Sequence, residues 1–341
     1  MLNGHGNDQY AYAQKIVADF STNITNGTVA EELAGFLKTK LNTLHNYPDP
    51  EANIFLGAIA KYHHIEKENL LACNGSTEAF YLIAQTFGEK KSFIRTPSFS
   101  EYEDACKQFD HHIEQDTELY EVSLQNNQLV WLGNPNNPDG KTTLTNEIDA
   151  LCQLHPQTLF IVDEAYADLC QNFETAIPLT TKHANLIIVR SLTKSFSVPG
   201  LRIGYLVSDK QNIQRTKQHM MPWNMNTLAI EAGTFIMNNY EKLKPDTEKI
   251  VEESVQFQEE LAKLPELTVS PSSCNFFLVK TNIGTAAGLK SFLIENYGIL
   301  IRDASNFKGL TKQHFRLSVQ SQQNNQALIA ALKTWFKLKQ H

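Results

Sequence analysis

The amino-acid sequence predicts an α/β fold: a mostly parallel sheet covered by helices on both faces, followed by a smaller α+β domain. Three observations carry this. From about residue 70, short apolar segments alternate with helix-patterned ones, and strands joined through helices run parallel. The apolar segments are continuous rather than alternating, as burial of both sheet faces requires. After about residue 225 the pattern changes to long helices and short strands. A chain of 341 residues can bury a large core in two or three domains, or in one domain with a satellite.

The elements follow in order. "NLLAC" (69–73) reads as a buried strand, and "NGSTEAFYLIAQTF" turns into a helix whose apolar face is Ala79, Phe80, Leu82, Ile83 and Phe87. "SFIR" (92–95), "QLVWL" (128–132), "TLFIVD" (158–163), "NLIIVR" (185–190) and "GYLVS" (204–208) read as five more strands. Polar turn residues cluster at their C-terminal ends, where open α/β sheets place ligands. "NTLAIEAGTFIMNNYEKL" reads as helix until Pro245, and "EKIVEESVQFQEELAKL" (248–264) as an amphipathic helix. "NFFLVK" (275–280), "GILIRD" (298–303) and "FRLSV" (315–319) read as strands, and "NQALIAALKTWFKL" as the closing helix.

The net charge of −7 argues against a nucleic-acid surface or an acidic membrane as the main partner, while leaving room for a local basic pocket. Cysteines 73, 106, 152, 170 and 274 are odd in number and form no C-x-x-C, so neither a disulfide framework nor a metal site is expected. "MLNGHGNDQYAYAQ" has no apolar signal core, and no run approaches membrane-spanning length. The expectation is a cytoplasmic protein in a reducing compartment.

"RSLTKSFSVPGLRIGY" (190–205) places Lys194 among Ser191, Thr193, Ser195 and Ser197, with Arg202 after a Pro-Gly turn. A lysine attacks a carbonyl only when deprotonated, and burial or neighbouring cations lower its pKa. Hydroxyls and an arginine fork suit a phosphate. A nucleophilic amine beside an anion pocket matches an aldehyde that carries a phosphate: pyridoxal 5′-phosphate (PLP). A solvated loop lysine among ordinary serines is the competing reading. Asp163 ends an apolar strand, where a carboxylate can pair with a protonated ring nitrogen or merely cap a helix. Tyr166 can donate to a phenolic oxygen or fill core, and Asn137 of "NPNNPDGK" can reach the same oxygen or simply serve the turn. The backbone N–H groups of Gly75, Ser76 and Thr77, between a strand and a helix, can face an anion. Phe99 can stack on a flat ring or pack in the core.

The order of these features (anion turn, ring stacker, Asn, Asp-x-x-Tyr, Lys, Arg) resembles the fold-type I PLP enzymes of the class I/II aminotransferase family over nearly the whole chain. The resemblance implies a PLP-dependent transferase fold with a seven-stranded type of sheet. It divides the chain into an arm (1–45) joining the small domain, a large PLP-binding domain (46–245) and a small substrate domain (246–341). It implies that Lys194 bonds to the cofactor aldehyde and that Asp163 pairs with the ring nitrogen. Tyr166 and Asn137 would hold the phenolic oxygen, and Ser191, Arg202 and the Gly75–Thr77 turn the phosphate. It further implies a homodimer with the site at the interface, Tyr47 of "HNYPDP" reaching the neighbouring subunit's phosphate.

Within the family, "GHG" (4–6), "DFSTNI" (19–24), "MPWNMN" (221–226) and "IRDASNFKGL" (301–310) resemble the L-threonine-O-3-phosphate decarboxylases of cobalamin biosynthesis. "YPDP" is shared with the histidinol-phosphate aminotransferases. The resemblance implies a small phosphorylated amino acid as substrate, framed by His5, Asn23, Arg302 and Arg316, with Arg316 on its carboxylate. Decarboxylation is the favoured expectation, transamination the alternative, and a non-enzymatic PLP-fold binding protein a distant third. Ser195 and Ser197 depart from the bulkier residues usual after the lysine, which leaves the pocket wall open.

Overall fold

The computed structural model describes residues 6–24, 30–118 and 128–339. The chain begins with β1 (Ala18–Asp19), α1 (Ala30–Lys40) and α2 (Asn53–His63). Next come β2 (Leu70–Cys73), α3 (Ser76–Thr86), β3 (Lys91–Arg95), α4 (Ser100–Gln108) and β4 (His112–Asp116). Then β5 (Gln128–Gly133), α5 (Thr145–Leu154), β6 (Leu159–Asp163), β7 (Leu186–Ser191) and β8 (Gly204–Ser208) follow. The rest of the chain opens with α6 (Lys210–Lys217), α7 (Thr227–Asn238), α8 (Tyr240–Leu243) and α9 (Thr247–Ala262). It closes with β9 (Leu267–Val269), β10 (Phe276–Thr281), α10 (Ala286–Tyr297), β11 (Ile299–Leu300), β12 (Arg302–Asp303), β13 (His314–Ser318) and α11 (Gln322–Lys339).

Seven strands form one sheet in the order β2-β8-β7-β6-β5-β3-β4. Five of its strands pair in parallel, from β7 through β6, β5 and β3 to β4. β8 runs antiparallel to both neighbours, β7 and β2. The exception has a local cause: only the loop 192–203 joins β7 to β8, with no crossover helix to carry the chain back.

The continuous apolar strands are explained by two cores. Leu70, Val130, Leu132, Phe160, Val162 and Ile188 pack on one face with α2, α5 and α7. The intervening residues Leu71, Leu129, Trp131, Ile161, Ile187 and Val189 pack on the other with α3, α4 and α6. The apolar face read for α3 is buried, Ala79, Phe80, Leu82, Ile83 and Phe87 all included.

β9, β10, β12 and β13 form a second, antiparallel sheet. It shares a separate core with α9, α10 and α11, and Ala18 and Phe20 enter this core from the other end of the chain. β1 pairs in parallel with β11, which explains the placement.

Three expectations need correction. β4 ("HIEQD") gave no apolar signal because it is a sheet edge with both end residues exposed. "GILIRD" is two strands, since β11 pairs with β1 while β12 pairs with β13. The helix expected to run to Pro245 breaks at Asn239, between α7 and α8. Among the described residues, no helix is long and apolar enough to cross a membrane.

Candidate active site

The C-terminal ends of β2, β3, β5, β6 and β7 open on one cavity of about 410 Å³. Its lining includes Asn23, Ser76, Thr77, Phe99, Asn137, Asp163, Tyr166, Ser191, Lys194, Arg202, Arg302 and Arg316. Residues 293 positions apart (Arg316 and Asn23) meet because the segment after β1 runs beside β13, with the Ser318 N–H donating to the Phe20 carbonyl and Arg316 to the Ser21 carbonyl.

Lys194 and Arg202 lie on the loop that turns β7 back into β8. Burial first, then the Arg316 and Arg202 guanidiniums, lower the Lys194 amine to about 8. Roughly a tenth of the amine is therefore uncharged at pH 7, far more than for an ordinary lysine. Of the four hydroxyl residues around the lysine, Ser191 and Thr193 line the cavity. Ser195 turns away, is buried, and donates to Asp168 Oδ2 at 2.8 Å. The cavity lining therefore does not include the unusual "SFS" serines, and the pocket wall left open by the sequence is made by other residues.

Asp163 ends β6 with its carboxylate buried. Burial pushes its pKa up to about 6, against hydrogen bonds from the Tyr102 hydroxyl at 2.6 Å and the Ala165 N–H at 2.9 Å. Tyr166 is buried, its pKa raised by burial, and its ring lies 4.8 Å from that of Phe276. Phe99 lines the cavity and meets Phe80 edge-on at 6.3 Å.

The start of α3 forms the anion end of the cavity. No side chain caps this helix, and Ser76 and Thr77 face the cavity beside Arg202. Free N–H groups at a helix start attract anions. Gly75 stands just behind the lining, with φ at +83°, and a Cβ there would lie 2.5 Å from Arg202 Nη2. Gly204 serves the same packing: its Cβ would lie 2.8 Å from Ser76 N.

Arg302 and Arg316 are cross-strand partners of β12 and β13 and both are buried. Burial and the neighbouring Arg316 lower Arg302 to about 10, and burial lowers Arg316. Arg316 donates to Asn137 Oδ1 and to the Ser21 carbonyl, both at 2.5 Å. Arg302 donates to Asn306 Oδ1 at 2.8 Å and to the Asp303 carbonyl. Asn23 is buried, and neither polar atom of its amide meets hydrogen-bond geometry with the protein, although the Tyr166 hydroxyl is its near neighbour.

One of the expected residues stands well apart from the cavity. Tyr47 is 84% exposed and packs on Trp223 at 5.2 Å, outside the lining. His5 lies outside the described residues. Sequence reasoning missed Ser21, Phe307 and Tyr102, of which the first two line the cavity. Only Tyr102 carried a usable signal, one helical turn after Phe99 beside the sheet's ligand edge.

The donor set fits PLP. A half-buried lysine of lowered pKa suits its aldehyde, a buried carboxylate suits its ring nitrogen, and an uncapped helix start with an arginine suits its phosphate. A wider groove of about 890 Å³ lies behind Lys194, but its buried Arg190 is already engaged by Glu164 at 3.3 Å and Asp168 at 2.9 Å.

Comparison with known proteins agrees with this geometry. A solved structure of L-threonine-O-3-phosphate decarboxylase from Porphyromonas gingivalis is 37% identical, with a TM-score of 0.91 over 94% of this chain and 100% of that one. The threonine-phosphate decarboxylase of Salmonella typhimurium is 30% identical, covering 92% of this chain and 90% of its own. A histidinol-phosphate aminotransferase of Hydrogenobaculum is also 30% identical, covering 85% and 84%. Residues 15–332 match the family described as aminotransferase class I and II. With that match and a lysine-centred site fitted to PLP, the chain belongs to the class I and II aminotransferase family and is a PLP-dependent enzyme.

Proposed function

We propose that this enzyme decarboxylates L-threonine O-3-phosphate to 1-amino-2-propanol O-2-phosphate. The observation that carries the proposal is the adjacent pair Arg302 and Arg316 in the cavity of Lys194. Two buried guanidiniums held side by side repel each other, and a substrate bearing both a phosphate and a carboxylate relieves that repulsion. The named decarboxylase relatives support the same choice.

When bound, PLP supplies an electron sink for a bond broken at the substrate's α-carbon. Lys194 holds the cofactor through its amine, with Asp163 at the ring nitrogen and Tyr166 and Asn137 at the phenolic oxygen. Ser76, Thr77, Ser191, Arg202 and the Gly75 backbone hold the cofactor phosphate, and Phe99 stacks on the ring. Arg316, fixed by Asn137 and the Ser21 carbonyl, forks onto the substrate carboxylate. Arg302, steadied by Asn306, takes the substrate phosphate, and Asn23 and His5 add polar contacts. Arg316 and Arg302 would decide which bond at the α-carbon is broken by fixing how the substrate carboxylate is oriented. Lys194, with its amine near pKa 8, then returns a proton to the α-carbon.

The same proposal includes a homodimer. Tyr47, Trp223, Leu41, Leu44, Ile54 and Met221 are all large, apolar and more than half exposed. A second copy covering them would bring its Tyr47 to this chain's cofactor phosphate. The division into an arm (1–45), a large domain (46–245) and a small domain (246–341) fits the separate cores, with Ala18 and Phe20 in the second. Five free, buried cysteines favour a reducing, cytoplasmic setting.

The test is to incubate the PLP-loaded protein with L-threonine O-3-phosphate. The expected result is CO2 and the amino-propanol phosphate without pyridoxamine phosphate. Pyridoxamine phosphate without CO2, or turnover only with histidinol phosphate and a keto acid, overturns the proposal in favour of transamination.

A further inference from the structure

We propose that Tyr102 decides where the proton between Asp163 and the PLP ring nitrogen resides: its hydroxyl donation keeps Asp163 a weak base, so the ring nitrogen retains the proton. This rests on the PLP dependence of the family and not on which reaction the site performs.

The Tyr102 ring packs in the core while its hydroxyl is aimed at Asp163. It lies on α4, is 2% exposed, and its hydroxyl donates to Asp163 Oδ2 at 2.6 Å. Its ring is stacked on Trp131 at 5.9 Å and 22° and wedged by Phe80 edge-on at 4.9 Å. The hydroxyl therefore has a fixed aim. Burial and the Asp163 charge hold the phenol well above its usual pKa, so it stays a donor at every working pH.

Asp163 needs that donor. Burial is the largest influence on it and favours the protonated form; the Tyr102 hydrogen bond is the largest influence the other way. The Ala165 N–H and Arg190 also favour the anion, while Glu164 opposes it; Tyr166 and Lys194 complete the titratable groups that face it. With Tyr102 removed, burial prevails further and Asp163 becomes the stronger base of the pair. The proton then moves from the ring nitrogen to the carboxylate, and the ring accepts electrons less readily. Tyr102 touches neither cofactor nor substrate in this scheme, so it is a positioning residue.

The test uses holoenzyme loaded with PLP labelled with ¹⁵N at the ring nitrogen. Tyr102→Phe keeps the stacked ring and removes only the hydroxyl. The ¹⁵N signal is expected to move toward the unprotonated position, with kcat down about 10- to 100-fold, the scale of a lost hydrogen bond to a charged group, and KM little changed. Fluorotyrosine at 102, a stronger donor, is expected to move the signal the opposite way. If Tyr102→Phe does not load PLP, the fluorotyrosine protein decides alone. An unmoved signal in a folded, loaded variant, or the same direction of shift for both, overturns the proposal. The signal is read without substrate, so failure of the decarboxylase assignment would leave this result intact.

Discussion

Replacing Lys194 by Met removes an amine that the fold holds in an unfavourable charge state, and the consequence for stability can be worked out. The folded-state value is about 8 against an ordinary 10.5. At about 1.4 kcal/mol per unit, that gap corresponds to about 3 kcal/mol. The sign follows from proton counting. Between pH 8 and 10.5 the unfolded chain binds the proton and the folded one does not, so stability rises with pH across that window. Above 10.5 the contribution is complete, and it is lost as pH falls through 8. Met has no proton to bind, and all other groups are common to both proteins. The stability advantage of cofactor-free Lys194→Met should therefore shrink by about 3 kcal/mol from pH 7 to 10.5. Denaturant unfolding of both cofactor-free proteins across that range measures it. A gap that does not change with pH would refute the lowered pKa, and with it the idea that the amine is partly uncharged at neutral pH.

Three other outcomes are expected. Gly75→Ala puts a Cβ 2.5 Å from Arg202 Nη2 at a φ of +83°; it should cost about 1–3 kcal/mol and weaken PLP retention, read by fluorescence titration. Arg316→Gln removes the largest cationic influence on Lys194 and the proposed substrate anchor; substrate affinity should fall about 10- to 100-fold, and the pH midpoint of Lys194 labelling should rise. Asp168→Asn weakens the cluster that holds Arg190, Ser195 and Tyr240 behind the site; breaking this buried pair should cost about 3–5 kcal/mol in unfolding experiments, with Ser195→Ala costing much less.

Most of the large sheet was legible because its strands are buried on both faces and so are written as unbroken apolar runs. β4 was not, because an exposed edge needs no such run. β1 and β11 were hidden for another reason: each is two residues long, and only their pairing makes them strands. In the site, residues on strand ends and turns were legible, because Asp163, Lys194 and Arg202 are polar groups at apolar boundaries. The directions of the Tyr102 and Ser195 hydroxyls were not. Each hydroxyl turns inward onto a carboxylate, Asp163 or Asp168, and which way a hydroxyl faces depends on tertiary packing rather than on spacing.

The pairing of β1 with β11 imposes an order of events on the ribosome. Ala18 pairs in register with Ile299, a partner made 281 residues later, and donates its N–H to the Gly298 carbonyl. The large sheet is complete once β8 has emerged, while β1 still has no ladder to join and Phe20 no core to enter. From Ser208 to Ile299 is 91 residues, so at 5–20 residues per second that delay is roughly 5–20 s. Throughout it the nascent chain carries the finished loop around Lys194 without Arg316, the guanidinium that most strongly lowers its amine. The reactive lysine is thus made early and activated late, when the last strand closes over it.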